Sequence, residues 1–477
     1  DRLVWIHDYR IDLPGSLDVV EIREAFQEAF ISAWQRTAES DGLCRLVVLA
    51  NLAWRDVALI RALCRYLKQI GFELSPDWMA DALASYPVFA RDLVALFYAR
   101  FDPSKKRRDA VEDKIAERII QALDRVEGLN EDRFFRRMLE CIRAIVRTNF
   151  FQKVGRTYRG YFSFKLTPAS ISEMPKPIPM FEIFVYSPRV EGVHLRGGPV
   201  ARGGLRWSDR GEDYRTEVLG LVKAQQVKNS MIVPVGAKGG FFPKALPTGD
   251  RDAIQAEAIA CYELFISGLL DVTDNLVHGE IVAPKETRIH DQSDPYLVVA
   301  ADKGTATFSD IANRLSESRG FWLGDAFASG GSAGYDHKKM GITARGAWVS
   351  VQHHFRALGR NCQTEPFTAV GVGDMGGDVF GNGMMCSPMT HLLAAFNHQH
   401  IFLDPSPDPI QSFAERTRLF HLPRSSWSDY DPTLLSTGGG VFSRSAKHIL
   451  ISQEAASALG IESGQYTPNQ VLSAILK

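Results

Sequence analysis

Apolar residues recur at helical spacing through roughly the first 150 residues. They fall at i, i+3, i+4 and i+7, with charged residues between them, in the stretches "EIREAFQEAFISAWQ", "WRDVALIRALCRYLKQIGF", "VEDKIAERIIQALDRVEG" and "DRFFRRMLECIRAIVR". Turn-forming residues such as Ser75 and Pro76 separate these stretches. The pattern therefore predicts an all-helical N-terminal region over residues 1–155.

The pattern changes near residue 156. The runs "YFSFKL" and "MFEIFVYS" have the aromatic and β-branched content of strands. From "RGGPVARGGLRWSDR" onward, helical stretches alternate with short strand-like runs, which is typical of an α/β fold. A further boundary is expected within residues 328–340. The sequence thus predicts an α/β domain over residues 156–335 and another over residues 336–477.

Composition excludes several classes of partner. The chain has 55 Lys plus Arg against 56 Asp plus Glu, a net charge of -1, so no overall field favours nucleic acid or an anionic membrane. We found no apolar run long enough to span a bilayer and no HExxH motif, and we predict no membrane partner and no metal. The 6 cysteines form no CxxC pair, which indicates reduced thiols and a cytoplasmic protein.

The stretch "KNSMIVPVGAKGGFFPK" places three lysines among apolar residues and glycines. Lys228 falls on the same side of a predicted helix as Leu221, where a lysine needs an anion unless it reaches solvent. "SMIVPVG" is predicted to be a strand, and "AKGGFFPK" a glycine loop that presents Lys238 and Lys244. Because glycine lets backbone approach a ligand closely, the three cations predict a pocket for a carboxylated small molecule.

A second motif is "FTAVGVGDMGGDVFG". Gly371, Gly373 and Gly376 match GxGxxG after a predicted strand over residues 367–371. This arrangement is typical of a turn that brings a pyrophosphate to a helix N-terminus. Asp404, at the end of the next predicted strand, is the candidate for the acidic residue that binds a ribose. Its alternative is an ordinary turn residue before proline.

Four segments within residues 190–405 occur in the order and at the approximate spacing of the motifs of one enzyme family. They are "RGGLRWS", "QVKNSMIVPVGAKGGFFPK", "AADKGTATF" and "ITARGA". Together they resemble the glutamate dehydrogenase family, most closely its large bacterial NAD-specific type. The resemblance implies that residues 336–477 form a Rossmann-type NAD-binding domain. The second half of that domain and a late serine and asparagine segment are not found. We therefore expect a truncated chain, whose activity by itself is not implied.

The resemblance also implies a reaction, the oxidative deamination of L-glutamate to 2-oxoglutarate and ammonium with NAD as hydride acceptor. Lys244 would activate water and Asp302 would shuttle protons. The implied substrate-binding residues are Lys228, Lys238, Gly204 and Lys339. The implied NAD-binding residues are Thr343, Gly371, Gly373, Asp374, Met375, Gly376 and Asp404. A cytoplasmic homo-oligomer is expected for the full-length protein.

Two alternative functions stay open. One is a dehydrogenase of another amino acid on the same fold, against which Lys228 argues because an apolar side chain needs no cation. The other is a non-catalytic module that senses glutamate or nucleotide, against which Lys244 and Asp302 argue.

Overall fold

The computed structural model describes residues 19–106, 109–229, 235–302, 305, 307–332, 337–423 and 425–477. The chain divides into two compact units, Asp1–Ala333 and Gly334–Lys477. The helical region and the sheet that follows it share the first unit. The division into three domains stays a prediction.

The described residues before the first strand form helices. These are α1 (Val19–Trp34), α2 (Arg45–Leu49), α3 (Trp54–Gln69), α4 (Pro76–Ser85), α5 (Pro87–Phe101), α6 (Asp109–Leu123) and α7 (Leu129–Ala144). The four predicted helical stretches correspond to α1, α3, α6 and α7. The first strand begins at Ile145, about ten residues earlier than the sequence pattern indicated.

The rest of the first unit consists of strands and helices. Its strands are β1 (Ile145–Thr148), β2 (Lys153–Val154), β3 (Thr157–Tyr158), β4 (Phe162–Leu166), β5 (Phe181–Tyr186), β6 (Val190–Arg196), β7 (Arg202–Trp207), β8 (Ala237–Pro243), β9 (Asn275–Val277), β10 (Glu280–Val282), β11 (Val298–Ala301) and β12 (Ala328–Ser329). Its helices are α8 (Tyr214–Asn229), α9 (Arg251–Asp271) and α10 (Ser309–Ser318). This order confirms the predicted fold class, a helical N-terminal region followed by an α/β part.

Eight strands form one sheet in the order β1-β4-β5-β6-β8-β7-β11-β12. The strands from β1 to β8 in that order pair antiparallel, whereas β7 pairs parallel with both β8 and β11. One face of the sheet packs on the N-terminal helices through residues such as Phe184 and Val193. The opposite face packs on α9, where Phe265 and Leu269 contact the layer that contains Val185 and Phe241. The sheet therefore lies between two helical layers.

The prediction of a glycine loop for "AKGGFFPK" is wrong, because residues Ala237–Pro243 form β8 inside the sheet. A Cβ atom on Gly239 would lie 2.5 Å from Leu205 Cδ2, and one on Gly240 would lie 2.7 Å from Val218 Cγ2. The two glycines thus allow close packing against a neighbouring strand and against α8 rather than forming a turn. Most of the predicted strand "SMIVPVG" lies outside the described residues.

Helix α9 has the 21-residue length and the apolar composition that could cross a membrane, a candidate that the sequence analysis did not find. In the structure, half of the most apolar 18-residue stretch of α9 is buried inside the protein. Cys261, Phe265 and Leu269 are fully buried on the face that packs against the sheet. The apolar composition of α9 therefore has an explanation within the core.

The second unit contains a smaller sheet. Its helices are α11 (His337–Met340), α12 (Ile342–Ala357), α13 (Asp378–Met384), α14 (Pro409–His421), α15 (Gln453–Leu459) and α16 (Pro468–Ile475). Its strands are β13 (Phe367–Val372), β14 (Thr390–Phe396), β15 (His400–Leu403), β16 (Gly440–Ser443), β17 (Ile449–Ile451) and β18 (Gly464–Tyr466). Strands β13 and β14 pair parallel around α13, but β15 and β16 continue that sheet antiparallel. This sheet is mixed, whereas a Rossmann-type half would be parallel.

One buried histidine makes stability sensitive to acid. His194 on β6 is 1% exposed, and its Nε2 has no hydrogen-bond partner among the described residues. Burial, with a smaller effect of the Arg196 charge, lowers the pKa of His194 from 6.5 to about 3, although Asp294 opposes the shift. The folded state therefore favours the neutral imidazole.

We predict that His194 contributes stability that is complete above pH 6.5 and is lost as pH falls toward about 3. The loss should reach about 1.4 kcal/mol per pH unit, because the unfolded state binds a proton that the folded state rejects. Urea unfolding between pH 4 and pH 7 would measure it. His194→Leu should flatten the dependence of the free energy of unfolding on pH in this range. The exposed His448 supplies the control His448→Leu, which should leave that dependence unchanged. The same pH dependence in both variants would contradict the assignment.

Candidate active site

Three charged side chains meet on adjacent strands of the large sheet. Asp302 follows β11, Arg206 lies in β7 and Lys238 lies in β8. Lys238 Nζ is 2.9 Å from Asp302 Oδ2, and Arg206 Nη2 is 3.1 Å from Asp302 Oδ1. Arg206 is also held by Glu217, whose Oε1 lies 2.8 Å from Arg206 Nη1. We call Lys238, Arg206 and Asp302 the lysine–aspartate cluster.

Backbone contacts fix Asp302 in this cluster. A Cβ atom on Gly204 would lie 2.9 Å from Asp302 Cβ and 3.1 Å from its Oδ2, so glycine leaves room for the carboxylate. The Asp302 amide donates to Thr305 Oγ1 at 3.0 Å, and that hydroxyl donates to the Leu205 carbonyl at 2.6 Å. The position of Gly204 thus follows from packing next to the cluster.

The lysine–aspartate cluster is partly open to solvent. The Lys238 side chain is 20% exposed and the Asp302 side chain 16%. A carboxylate beside an ammonium group, both reachable from solvent, can accept and return a proton while the positive charge stabilises an anion. Arg206 lies within the motif "RGGLRWS", but its place in the cluster could not be predicted from the motif.

Lys244 lies elsewhere. It follows the last residue of β8, six positions from Lys238, which corresponds to about 20 Å along an extended strand. Its Nζ is 2.6 Å from Glu39 Oε1 and 3.0 Å from Glu191 Oε1, and it lies 4.9 Å from the centre of the Tyr186 ring. The structure therefore does not bring Lys244 and Asp302 together, and the predicted catalytic role of Lys244 stays a prediction.

Lys228 lies in the last turn of α8, but its side chain is outside the described part of the structure. The start of α8 is firmly placed. Arg215 and Glu182 form a bidentate ion pair at 2.7 Å in which both side chains are 0% exposed. Gln69 on α3 also donates to the Gly211 carbonyl and accepts from the Arg215 amide.

In the second unit, the glycine motif forms a tight turn after β13. Gly373 has φ 138°, a conformation that favours glycine, and its amide donates to the Phe396 carbonyl at 2.7 Å. The Gly373 carbonyl accepts from Trp427 Nε1 at 2.8 Å. A Cβ atom on Gly371 would lie 2.3 Å from the Phe380 ring, so this position also excludes a side chain.

The remaining predicted NAD-binding residues of the turn have structural partners. Asp374 Oδ2 accepts from Asn397 Nδ2 at 2.6 Å, and the Met375 side chain is buried in the core. The Gly376 carbonyl accepts from Lys338 Nζ at 3.0 Å, a contact that the sequence did not reveal. Any contact of Met375 with a nucleotide would therefore involve its backbone.

Two predicted ligand contacts lie in the helices before β13. Lys339 is on α11 and Thr343 is in the first turn of α12, and both side chains are exposed. Both predicted roles stay predictions.

Asp404 does not have the predicted position at the end of the second strand. That strand is β14, which ends at Phe396 and is followed by Asn397. Asp404 ends β15, which runs antiparallel to β14, and its amide donates to the Leu393 carbonyl at 2.8 Å. Its side chain is 0% exposed and accepts hydrogen bonds from the Ser436 amide and hydroxyl. Burial raises the pKa of the Asp404 carboxyl.

The placement of Asp404 therefore corrects the predicted ribose contact. The sequence pattern does not reveal the strand Thr390–Phe396, and the prediction therefore places Asp404 at the end of the second strand, whereas it ends the third, β15. The alternative of a structural turn residue agrees with this geometry.

Comparison with known families gives a match over most of the chain. The family described as "Bacterial NAD-glutamate dehydrogenase, catalytic domain" matches residues 118–477, and "Glutamate dehydrogenase, helical motif 3" matches residues 38–103. The chain belongs to the bacterial NAD-glutamate dehydrogenase family. The recognised resemblance is thereby confirmed, and the helical region that carried no predicted chemistry has a family match of its own.

Similar curated proteins are named NAD-specific glutamate dehydrogenase. The one from Pseudomonas aeruginosa is 59% identical over 100% of this chain and 30% of its own length. The one from Mycobacterium tuberculosis is 52% identical over 99% of this chain and 31% of its own length. The chain thus spans about a third of the length of these relatives.

Among solved structures, Plasmodium falciparum glutamate dehydrogenase 2 is 13% identical to this chain. The match has a TM-score of 0.36 and covers 81% of this chain and 78% of the other.

We predict that Lys244→Met lowers the free energy of unfolding by roughly 1 to 3 kcal/mol, because Glu39 and the buried Glu191 lose their shared cation while Glu191 keeps Arg65 as a partner. Urea unfolding measures the change. The exposed Lys223 on α8 supplies the control Lys223→Met, which should alter stability by no more than about 0.5 kcal/mol. Unchanged stability in Lys244→Met, together with lost turnover, would restore a catalytic role for Lys244.

We predict that Asp404→Ser leaves the ratio of kcat/KM for NAD and NADP unchanged. The substitution should instead lower stability by about 1 to 3 kcal/mol, because the Ser436 amide and hydroxyl lose the acceptor that the buried Asp404 provides. Steady-state kinetics with both nucleotides and a thermal melt test the two parts. A narrower nucleotide preference would show that Asp404 faces the ribose after all.

Proposed function

We propose that this chain supplies the catalytic region of an enzyme that oxidises L-glutamate to 2-oxoglutarate and ammonium with NAD. The observation that carries the proposal is the lysine–aspartate cluster, which lies on the segments by which the sequence resembles its family. The family and the names of the relatives support the choice of substrate and cofactor.

Lys238, rather than Lys244, is the lysine that we assign to the chemical step. Its ammonium group lies 2.9 Å from Asp302, whereas Lys244 is occupied by Glu39 and Glu191. Asp302 takes a proton from the substrate ammonium group, so that the neutral amine can lose hydride from Cα and become an iminium ion. Water adds to the iminium carbon, and Asp302 relays the proton that this water loses to the nitrogen of the carbinolamine. Lys238 stabilises the negative charge that develops on the carbinolamine oxygen as the C–N bond breaks, ammonia leaves and the hydroxyl proton passes to solvent.

Glutamate brings two carboxylates, which need cations. Lys228, at the end of α8, remains the proposed partner of one of them. Arg206 is the proposed second cation: its guanidinium is part of the lysine–aspartate cluster, and its Nε has no hydrogen-bond partner among the described residues. The resemblance implied that Lys238 binds substrate; we propose that Arg206 takes this part and that Lys238 acts in the chemical step.

NAD, when bound, accepts the hydride from the substrate Cα. The turn at Gly371, Gly373 and Gly376 would hold its pyrophosphate, because it follows strand β13 and leads into α13, as a dinucleotide-binding turn does. A Cβ atom on Gly376 would lie 2.7 Å from the Ser425 carbonyl, so the turn suits glycine throughout. Lys338 supplies a cation at the same turn.

The proposal extends to the setting of the enzyme. We place it in the cytoplasm as a homo-oligomer in the full-length protein, with glutamate, 2-oxoglutarate and ammonium as its small-molecule partners. Six free cysteines agree with a reducing compartment.

A dehydrogenase of another amino acid remains the alternative. The cluster of cations around Asp302 favours a substrate with a second carboxylate over an apolar one.

We predict that Lys238→Ala and Asp302→Asn each lower kcat for glutamate oxidation by at least about 100-fold, because each removes a group that moves or stabilises charge in the transition state. NADH absorbance with glutamate and a panel of apolar amino acids measures this. The assay should use this chain and a protein of the relatives' length that carries it.

Lys223→Ala is the control, since this exposed lysine lies on α8 away from the buried face. Near-normal kcat in Lys238→Ala would refute its role. A higher kcat/KM for an apolar amino acid than for glutamate would favour the alternative dehydrogenase.

A further inference from the structure

A cavity lined by several charged side chains lies in the first unit, and its lining shares no residue with the lysine–aspartate cluster. Its volume is about 590 Å³, which is within the range of small-molecule sites. It lies beside the end of α9, between the hairpin of β2 and β3 and the segment that follows β10. The residues that line it include the four cations Lys153, Arg159, Lys285 and Arg319.

Two of these cations share one carboxylate. Asp271 Oδ2 is 3.1 Å from Arg159 Nε, and Asp271 Oδ1 accepts from Arg319 Nη1. Asp271 also accepts from Asn149 Nδ2 at 3.0 Å and from the Tyr161 hydroxyl at 2.7 Å. A single carboxylate thus fixes both guanidinium groups and leaves one positive charge in excess on the cavity wall.

The mouth of the cavity also has more positive than negative side chains. The exposed Lys153 and Lys285 are accompanied there by one carboxylate, Glu286, whose Oε2 accepts from the Lys153 amide at 2.9 Å. Leu270 and Phe321 add apolar surface to the lining. The lining therefore carries four cations and two carboxylates around an apolar patch.

We propose that this cavity binds a small organic dianion, with its acidic groups on the guanidinium and ammonium groups and its carbon skeleton against Leu270 and Phe321. Arginine held in a fixed orientation by a buried carboxylate is well suited to bind an anion, because less side-chain freedom is lost on binding. The acidic groups can be carboxylates or phosphates, since both match the same donors.

Isothermal titration with succinate, with glycerol phosphate and with the neutral succinamide tests the proposal. Saturable binding of succinate alone assigns a dicarboxylate, binding of glycerol phosphate alone assigns a phosphate ester, and binding of both assigns the shared chemistry. Succinamide should not bind. Equal binding of succinamide, or no saturable binding of either anion, overturns the proposal.

Variants locate the site. The double variant Lys153→Gln with Lys285→Gln changes exposed side chains, and it should raise Kd about tenfold or more, as should Arg319→Gln. The exposed Lys114 on α6 gives the control Lys114→Gln, which should bind as the unchanged chain does. If Arg319→Gln fails to fold, the double variant still shows whether the anion binds in this cavity.

Binding should also survive Lys238→Ala, which separates this cavity from the proposed substrate site. Loss of binding in Lys238→Ala, or unchanged binding in both cavity variants, would place the anion elsewhere and overturn the proposal. Loss of glutamate turnover alone would leave this site unaffected.

Discussion

Strand β8 is the constraint on which the first unit depends. It lies inside the eight-stranded sheet, and its two glycines let Leu205 and α8 pack directly on its backbone. A lysine lies near each end. Lys238 at the start contacts Asp302, and Lys244 just past the end contacts Glu39 and Glu191. Placement of the strand thus depends on close packing in the middle and on ion pairs at both ends.

The N-terminal helices take part in this arrangement. Glu39 follows α1, and Arg65 on α3 lies 2.8 Å from Glu191 on β6, which also binds Lys244. Gln69, also on α3, holds the turn that begins α8. The helical region therefore fixes the far end of β8 and the start of α8, and both elements carry lysines to which we assign chemistry. The sequence of the helical region shows no catalytic motif, but the region positions the elements that carry these lysines.

Much of the local structure could be predicted from sequence, whereas the site could be predicted only in part. Helices α1, α3, α6 and α7 follow from their apolar periodicity, and β4, β5 and β13 from their composition. The role of β8 could not be predicted, because glycine normally marks turns and its use here depends on strands distant in sequence. Asp404 was misassigned for a related reason, since strand order and direction are set by tertiary pairing.

The difference between the two lysines of β8 also shows how burial separates structural from reactive charge. Glu191 is 0% exposed, and removal of Lys244 would leave this buried carboxylate with Arg65 as its partner and with no compensation from solvent. Asp302 likewise has a second cation, Arg206, so the number of cations does not distinguish the two lysines. Exposure does: Lys238 is 20% and Asp302 16% exposed, so solvent can compensate the carboxylate when Lys238 moves toward a substrate. The exposure of its partner carboxylate is therefore the physical reason for which we assign the chemical step to Lys238 and a structural role to Lys244.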